Sequence, residues 1–302
     1  MSTRPHPSRW RRLAGLATML VTGSLALAAP ASAGTPIDLM PDLRMAVPAS
    51  FAVCGAPTSG TFQTENCPDA TASDRWLRFD SILMNVGKGS FRVIAQRADV
   101  TVDHMDAVQR IRRTDGTWRV VPTDATLAWA QEEDGHPHWH TQGMERYRLF
   151  RLPSPFEGGA EVGVKHGYCF FDGMLLQPDL KRARPSPFYD FYSCGVPGQS
   201  QDALRLRVGL SVGWGDEYPW NYAGQRIDIG DVADGEYLLC LTADPQGQFE
   251  ELRETNNESW ARIGLTTVAT EGSYQVEVVV VAQGRSACQA QVPYPIAQLP
   301  SR

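Results

Sequence analysis

The chain has 302 residues, of which 21% are charged, and its formal net charge is −6. This acidic balance disfavours nucleic acid as a partner, because phosphates are neutralised by basic side chains. Amphipathic helical periodicity is nearly absent, whereas short strand-like segments recur along the sequence. The length suits one large β domain.

The first 33 residues have the pattern of an export signal. Four arginines precede an apolar run over residues 13–29, and Ala31-Ser32-Ala33 forms a small-residue cleavage pattern. The apolar run is too short for a convincing membrane span. We therefore expect a secreted, extracellular protein with a signal peptide over residues 1–33 and a single domain over residues 34–302. The mature chain should contain no integral membrane segment.

Alternating apolar and polar segments separated by turn residues predict β-strands throughout the mature chain. The segments are residues 77–84, 90–95, 117–122, 147–152, 204–212, 235–243, 259–266 and 274–281. We expect the first two to form a hairpin around residues 85–89. Segments 235–243 and 259–266 should pair antiparallel, and the apolar run 274–281 should be a central strand. The predicted fold class is all-β, a β-sandwich of antiparallel strands with long disulfide-braced loops.

The six cysteines predict the disulfides that would brace the long loops. An even number outside the cytoplasm favours three disulfides. Pairing neighbours along the chain closes the shortest loops, and the predicted pairs are Cys54–Cys67, Cys169–Cys194 and Cys240–Cys288. The loops to be braced are residues 153–163, 173–203 and 213–225, which are long enough to carry a functional site.

Three histidines, His136, His138 and His140, alternate along one stretch. Alternate residues of a strand point to the same face, so three imidazoles would lie on one side. Imidazole binds zinc, copper, iron and nickel. Because Pro137 lacks an amide donor, this strand should lie at a sheet edge or in an extended loop. A histidine-rich surface loop without a ligand is the alternative.

Three motifs follow one another along the chain. They are His136-Pro-His138-Trp-His140 with the strand Met144-Glu-Arg-Tyr147, then Lys165-His-Gly-Tyr-Cys169-Phe-Phe-Asp172, then Tyr218 seven residues before Gln225-Arg-Ile-Asp-Ile229. In this order and spacing they resemble the lysyl oxidase family, and the resemblance covers residues 41–265. It is strongest over residues 135–257.

The resemblance implies a secreted copper-dependent amine oxidase of the protein-lysine 6-oxidase type. His136, His138 and His140 would bind copper. Lys165 and Tyr218 would be crosslinked into the quinone cofactor lysine tyrosylquinone. Such an enzyme converts a primary amine, for example a peptidyl lysine, into an aldehyde. It consumes molecular oxygen and releases hydrogen peroxide and ammonia.

Asp172 and Asp216 coincide with aspartates in the family pattern. Either would be the general base that removes a substrate proton or a hydrogen-bond anchor for a loop. We expect the amine to enter a groove lined by Trp139, Trp214 or Trp220. A tyrosine in the segment that follows Tyr218, rather than Tyr218 itself, is the alternative position for the quinone.

The resemblance also implies a calcium site. Its oxygen ligands would be Asp42, Leu43, Glu251, Asn256 and Asn257, drawn from an early and a late segment of the chain. Arg253 stands where the family has an acid, and the neighbouring Glu254 could compensate. The alternative is a polar loop between two strands without a metal.

Two other kinds of protein remain open. One is a non-catalytic extracellular module, a metal-binding or adhesion β-sandwich. A crosslink between the Lys165 and Tyr218 peptides, seen by mass, would exclude it. The other is a cupin, since His138-Trp-His140 and Glu145 partly match its first motif, but no histidine follows His166 to supply the second.

Overall fold

The structure is a computed structural model that describes residues 34–55, 75–130, 138–153, 161–163, 167–194, 200–222, 224–270 and 273–291. The predicted signal peptide, His136 and Lys165 lie outside these ranges. The chain divides into Met1–Thr35 and one compact unit, Pro36–Arg302. No helix in the described ranges is long and apolar enough to cross a membrane.

The regular secondary structure of the described residues is almost all β-strand, which confirms the predicted all-β class. The strands are β1 (Asp38–Leu39), β2 (Leu43–Met45), β3 (Ala49–Gly55), β4 (Arg75–Asn85), β5 (Phe91–Gln96), β6 (His104–Arg113), β7 (Trp118–Ala130), β8 (His138–Gln142), β9 (Glu145–Arg151), β10 (Glu161–Gly163), β11 (Gly167–Tyr168), β12 (Met174–Leu175), β13 (Arg205–Leu210), β14 (Trp214–Tyr218), β15 (Ile227–Asp228), β16 (Gly235–Ala243), β17 (Glu258–Thr270) and β18 (Ser273–Gly284). Phe191–Cys194 and Cys288–Gln291 are short 3-10 helices.

Three antiparallel sheets enclose one apolar core. The first runs β11-β8-β7-β6-β5-β13, with β1 beside β6, and the second runs β10-β9-β16-β17-β18. The third runs β12-β14-β4-β15, and β2 and β3 also pair with β4. Phe91, Leu239 and Phe79, one from each sheet, belong to the same buried cluster. Removing this apolar surface from water is the main force that holds the sheets together.

Strand β4 is buried on both faces, although its sequence alternates. Arg78 and Ser81 are both 0% exposed. The Arg78 guanidinium donates to the backbone carbonyls of Trp220 at 3.2 Å and Tyr222 at 2.9 Å. Hydrogen bonding of this kind is what permits a buried charge. Strand β4 therefore supports the chain that follows Tyr218.

The predicted hairpin of residues 77–84 and 90–95 is wrong, because β5 pairs with β6 and β13 and not with β4. Asn85 turns the chain from the third sheet to the first. Its amide group donates to the carbonyls of Gly89 and Leu210, both at 3.0 Å. Its side-chain oxygen accepts the amide of Asp42 at 3.1 Å. Asn85 does mark a turn, as the sequence predicted. Its hydrogen-bond partners are distant in sequence, however, and the next strand, β5, belongs to the first sheet instead of pairing with β4.

The predicted pairing of segments 235–243 and 259–266 is confirmed by β16 and β17, with Gly235 opposite Leu265. The prediction that residues 274–281 form a central strand is wrong. Strand β18 lies at the edge of its sheet, and Val279, Val280 and Val281 are 58%, 42% and 52% exposed. Stiff β-branched side chains favour a strand, but they do not determine its place in a sheet.

The Cys240–Cys288 disulfide is confirmed, with Cα atoms 6.0 Å apart. Cys54 and Cys169 are also disulfide-bonded. Their predicted partners, Cys67 and the side chain of Cys194, lie outside what the structure describes. The predicted loop 213–225 is in part a strand, since β14 occupies its first residues and pairs with β4.

Candidate active site

His138 and His140 lie on one face of β8 and turn their imidazoles toward each other. β7 positions them, because His138 pairs with Ala130 and His140 with Ala128. Their Nε2 atoms are 2.6 Å apart, and the side chains are 9% and 1% exposed. Two imidazole nitrogens at this separation share one proton or face one cation. His136, the third predicted ligand, lies outside the described residues.

The short strand β11 lies beside these histidines. It pairs with Thr141 and Gln142, so β11 is the outermost strand of the sheet. Pro137, on which the prediction of an edge strand or extended loop rests, lies outside the described residues. At Gly167 an added Cβ would lie 2.3 Å from the Cβ of His140. No side chain fits at that distance, so glycine is required for the close approach. The chain thus touches His140 two residues after Lys165.

Replacing Gly167 with Ala should weaken copper binding about 10- to 100-fold, as loss of the support around a metal ligand does. The added methyl group would displace either β11 or the His140 imidazole. A competition titration against a chromophoric chelator measures the affinity, and thermal unfolding checks that the fold persists. Gly264→Ala is the matched control, because its added Cβ meets nothing nearer than 4.0 Å. Unchanged copper affinity in Gly167→Ala would show that this contact does not shape the metal centre.

Tyr218 is the last residue of β14, so the expectation that it lies on a loop is wrong. Its phenol oxygen accepts the backbone amide of Cys169 at 3.4 Å, and its ring centroid lies 4.2 Å from that of Tyr168. The side chain is 7% exposed. Tyr218 and His140 therefore contact the same short segment, residues 167–169.

The chain beyond Tyr218 is fixed to β4. The amide of Trp220 donates to the Asp80 carboxylate at 2.7 Å, in addition to the bonds made by Arg78. Tyr222 lies near Tyr218, with ring centroids 6.0 Å apart, but Tyr222 is 40% exposed. The two neighbouring tyrosines thus differ sharply in their surroundings.

A buried polar cluster, here called the tyrosine cluster, lies behind Tyr218. It consists of Ser81, Glu145, Tyr147, Tyr168 and Gln225. The Ser81 hydroxyl lies 2.7 Å from the Tyr147 hydroxyl and 2.9 Å from that of Tyr168, and it accepts the Gln225 amide at 3.0 Å. Tyr147 donates to Glu145. Ser81 also stands opposite Tyr218 in the β4–β14 pair, so the cluster holds Tyr168 against Tyr218.

The phenols of the tyrosine cluster remain protonated at neutral pH. Burial, and then the negative charge of Glu145, raises the pKa of Tyr147 and of Tyr168 well above the ordinary value. Both side chains are 0% exposed. The cluster therefore positions Tyr218 without offering a second phenolate beside it.

The two candidate aspartates have different surroundings. Asp172 accepts the amides of Phe188, Tyr189 and Ser211 at 2.7, 3.1 and 2.7 Å, and the Ser211 hydroxyl at 2.7 Å. These four donors support the anchor interpretation. Asp216 is 0% exposed and stands two residues before Tyr218 in β14, so both side chains face the same side of the strand.

Two of the three tryptophans that were expected to line the substrate groove are buried and do not line one. Trp139 is 0% exposed and packs edge-on against Trp129, with ring centroids 5.8 Å apart. Trp214 is 7% exposed and its indole donates to the Arg184 carbonyl at 3.0 Å. Trp220 is partly buried against Trp76. Trp139 and Trp214 are therefore interior residues, as large amphipathic rings with a bonded N–H often are.

The predicted calcium residues lie together and form what is here called the latch, residues 41–43 with residues 251–257. Asp42 is 0% exposed. Its Oδ2 accepts the Arg253 guanidinium at 2.9 and 3.2 Å, and its Oδ1 accepts the Asn256 amide at 2.8 Å. Arg44 approaches the same carboxylate at 4.0 Å. Asp42 is thus already paired with a cation from within the chain.

The rest of the latch is bonded internally as well. The Glu251 carboxyl accepts the backbone amide of Leu43 and, at 2.9 Å, the Asn257 amide. Burial raises the pKa of Glu251 to about 8. Within the described ranges no three His, Cys, Asp or Glu side chains are arranged to hold a metal. The carboxylates of the latch are therefore engaged by groups of the chain and do not offer free ligands to calcium, whereas the Oδ1 atoms of Asn256 and Asn257 are buried without a hydrogen-bond partner in the part of the chain that the structure describes. Calcium binding stays a prediction from the resemblance.

The fold and the site define an all-β protein in which a buried histidine pair and a buried tyrosine meet at one strand. The lysyl oxidase family model matches residues 108–273, which is more than half of the chain. This chain belongs to the lysyl oxidase family.

The chain is also similar to curated lysyl oxidase homologs. The chain is 26% identical over 200 residues to lysyl oxidase homolog 2B of Danio rerio. It is 25% identical over 201 residues to lysyl oxidase homolog 3 of Homo sapiens, and over 204 residues to lysyl oxidase homolog 2 of Bos taurus. Each match covers 64% of this chain and 20% of the relative. The matched part is about a fifth of each relative's length.

Proposed function

We propose that this chain is a copper-dependent amine oxidase that oxidises primary amines with molecular oxygen. The observation that carries the proposal is that His140 and Tyr218 contact the same segment, residues 167–169. A metal centre and a modifiable tyrosine have to lie close together for one to act on the other. Family membership supports the same chemistry.

The histidine pair fits copper. Two buried imidazoles with converging nitrogens are a suitable donor set, and His136 would be the third ligand. When bound, copper would supply, with molecular oxygen, the oxidising chemistry that converts Tyr218 and Lys165 into the quinone cofactor, and the quinone would be the electron acceptor for the amine.

The sequence limits how far Lys165 can lie from Tyr218. Cys169, four residues after the lysine, donates its amide to Tyr218. Four extended residues span at most about 14 Å, which bounds the distance between the Lys165 and Cys169 Cα atoms. The Cys169 disulfide and the Asp172 anchor fix the far end of this segment. Lysine tyrosylquinone is therefore the proposed cofactor.

Asp216 is the proposed general base. It faces the same side of β14 as Tyr218, whereas the carboxylate of Asp172 is occupied by backbone donors. The net charge of −6 favours a cationic substrate, so a primary amine or a peptidyl lysine is the proposed substrate class. The Cys240–Cys288 disulfide supports an oxidising compartment, and we propose secretion directed by residues 1–33.

Copper-loaded protein should release hydrogen peroxide when small primary amines or lysine-rich proteins are added in air. A coupled peroxidase assay measures the peroxide, with aldehyde measured in parallel. Zinc-loaded protein is the control, because zinc accepts the same nitrogen ligands but has no redox chemistry. If the copper-loaded protein yields no peroxide from any amine, it is a non-catalytic metal-binding or adhesion module.

A further inference from the structure

We propose that Arg253 replaces a metal ion in the latch, so that the fold of this chain needs no calcium. The guanidinium would supply the positive charge that holds residues 251–257 against residues 41–43. The proposal rests on contacts separate from the histidine pair and Tyr218, and it stands or falls independently of the oxidase activity.

Asp42 shows why the latch needs a cation. The carboxylate is 0% exposed, and a buried charge is tolerated only when it is paired and hydrogen-bonded. Arg253 provides the nearest positive charge, with Nη2 at 2.9 Å and Nε at 3.2 Å from Oδ2. Arg44 lies farther away, at 4.0 Å. Arg253 is therefore the principal counter-charge of Asp42.

The same contacts leave no room for calcium at Asp42. Calcium takes six to eight oxygen ligands at about 2.3–2.6 Å. An ion at that distance from Oδ2 would stand beside a guanidinium that already donates to this oxygen from two of its nitrogens. Both are cations, so they repel each other. The other carboxylate oxygen is taken by the Asn256 amide.

The other hydrogen bonds of the latch also form between groups of the chain, with no metal needed to make them. The Leu252 amide donates to the Pro41 carbonyl at 2.7 Å, and Glu251 binds both Leu43 and Asn257. The carboxylate oxygens that would ligate calcium thus accept N–H groups of the chain itself, whereas the Oδ1 atoms of Asn256 and Asn257 are buried without a hydrogen-bond partner among the described residues. Where the resemblance implies an acidic ligand, this chain has Arg253, a cation that already pairs with Asp42.

The test starts from protein in metal-free buffer. Calorimetry measures calcium binding, and thermal unfolding measures the midpoint temperature with and without added calcium. The wild type should bind no calcium and should melt at the same temperature with and without it. Arg253→Asp should melt at a lower temperature without calcium, because it adds a further acid beside Asp42, Glu251 and Glu254. Calcium at about 100-fold above its dissociation constant should then raise the Arg253→Asp midpoint by roughly 5–10 °C.

Two further variants make the result specific. Arg253→Leu removes the cation without adding an oxygen ligand, so it should lower the midpoint and gain less from calcium than Arg253→Asp does. Arg262→Asp is the control, because Arg262 pairs with Glu236, which is not a latch residue; it should show no calcium response. A wild type that binds one calcium and melts higher with it overturns the proposal. So does an Arg253→Leu protein as stable as the wild type, even if Arg253→Asp does not fold.

Discussion

Replacing His138 with Ala is expected to abolish stoichiometric copper binding. The substitution removes one of the two nitrogens that converge at 2.6 Å, and His140 would retain its place through the pairing with Ala128. A single imidazole from this pair is a poor site for copper, whose affinity depends on the number and geometry of its ligands. Elemental analysis after copper loading and gel filtration measures the loss.

His104→Ala is the matched control for that experiment. His104 is 49% exposed on β6 and contacts Asp103, so its loss should leave the copper content unchanged. Circular dichroism should show the same β spectrum for both variants, because the core and the Cys240–Cys288 disulfide are untouched. Tight binding of one copper by His138→Ala would place the metal centre elsewhere.

Replacing Tyr218 with Phe should abolish quinone formation. Phenylalanine keeps the ring that packs against Tyr168 at 4.2 Å but lacks the oxygen that becomes part of a quinone. Lys165→Ala should likewise abolish the crosslinked species, because the second partner is missing. After aerobic copper loading, phenylhydrazine should give a coloured adduct only with wild type, and peptide mapping should find the Lys165 and Tyr218 peptides joined only there.

Tyr222→Phe separates the two tyrosines. Tyr222 is 40% exposed and lies 6.0 Å from Tyr218, ring centre to ring centre. If Tyr218 is the modified residue, Tyr222→Phe should keep the adduct and the crosslink. Loss of both in Tyr222→Phe, with both kept in Tyr218→Phe, would move the quinone to position 222. An unmodified Lys165 peptide in wild type would leave a copper protein without this cofactor.

Local patterns were sufficient to predict much of the fold. The segment 235–243 and its partner were recognisable because alternation and flanking turns are local properties, and β16 matches the predicted bounds. Sheet membership was not recognisable. The Asn85 turn suggested a hairpin, yet its side chain binds Leu210 and Asp42, which are distant in sequence. Tertiary contacts of this kind decide which strands pair.

The candidate site, like the fold, was predictable from local sequence patterns only in part. The alternation of His138 and His140 predicted a shared face, and the structure places both there. The tyrosine cluster was not foreseen, because Ser81 occupies a polar position of an alternating strand and only burial on both faces makes it a partner of Tyr147. The one available signal was Gln225, which the family motif includes and which donates to Ser81.

The latch also affects the order in which the chain can fold during synthesis. Asp42 and Arg253 are separated by 211 positions. At about 5–20 residues per second, the ribosome would make Arg253 roughly 10–40 s after Asp42. Until then the carboxylate has no principal counter-charge and remains in water. Strand β2, which directly follows Asp42, can therefore take its buried position with this carboxylate paired only after position 253 has been translated.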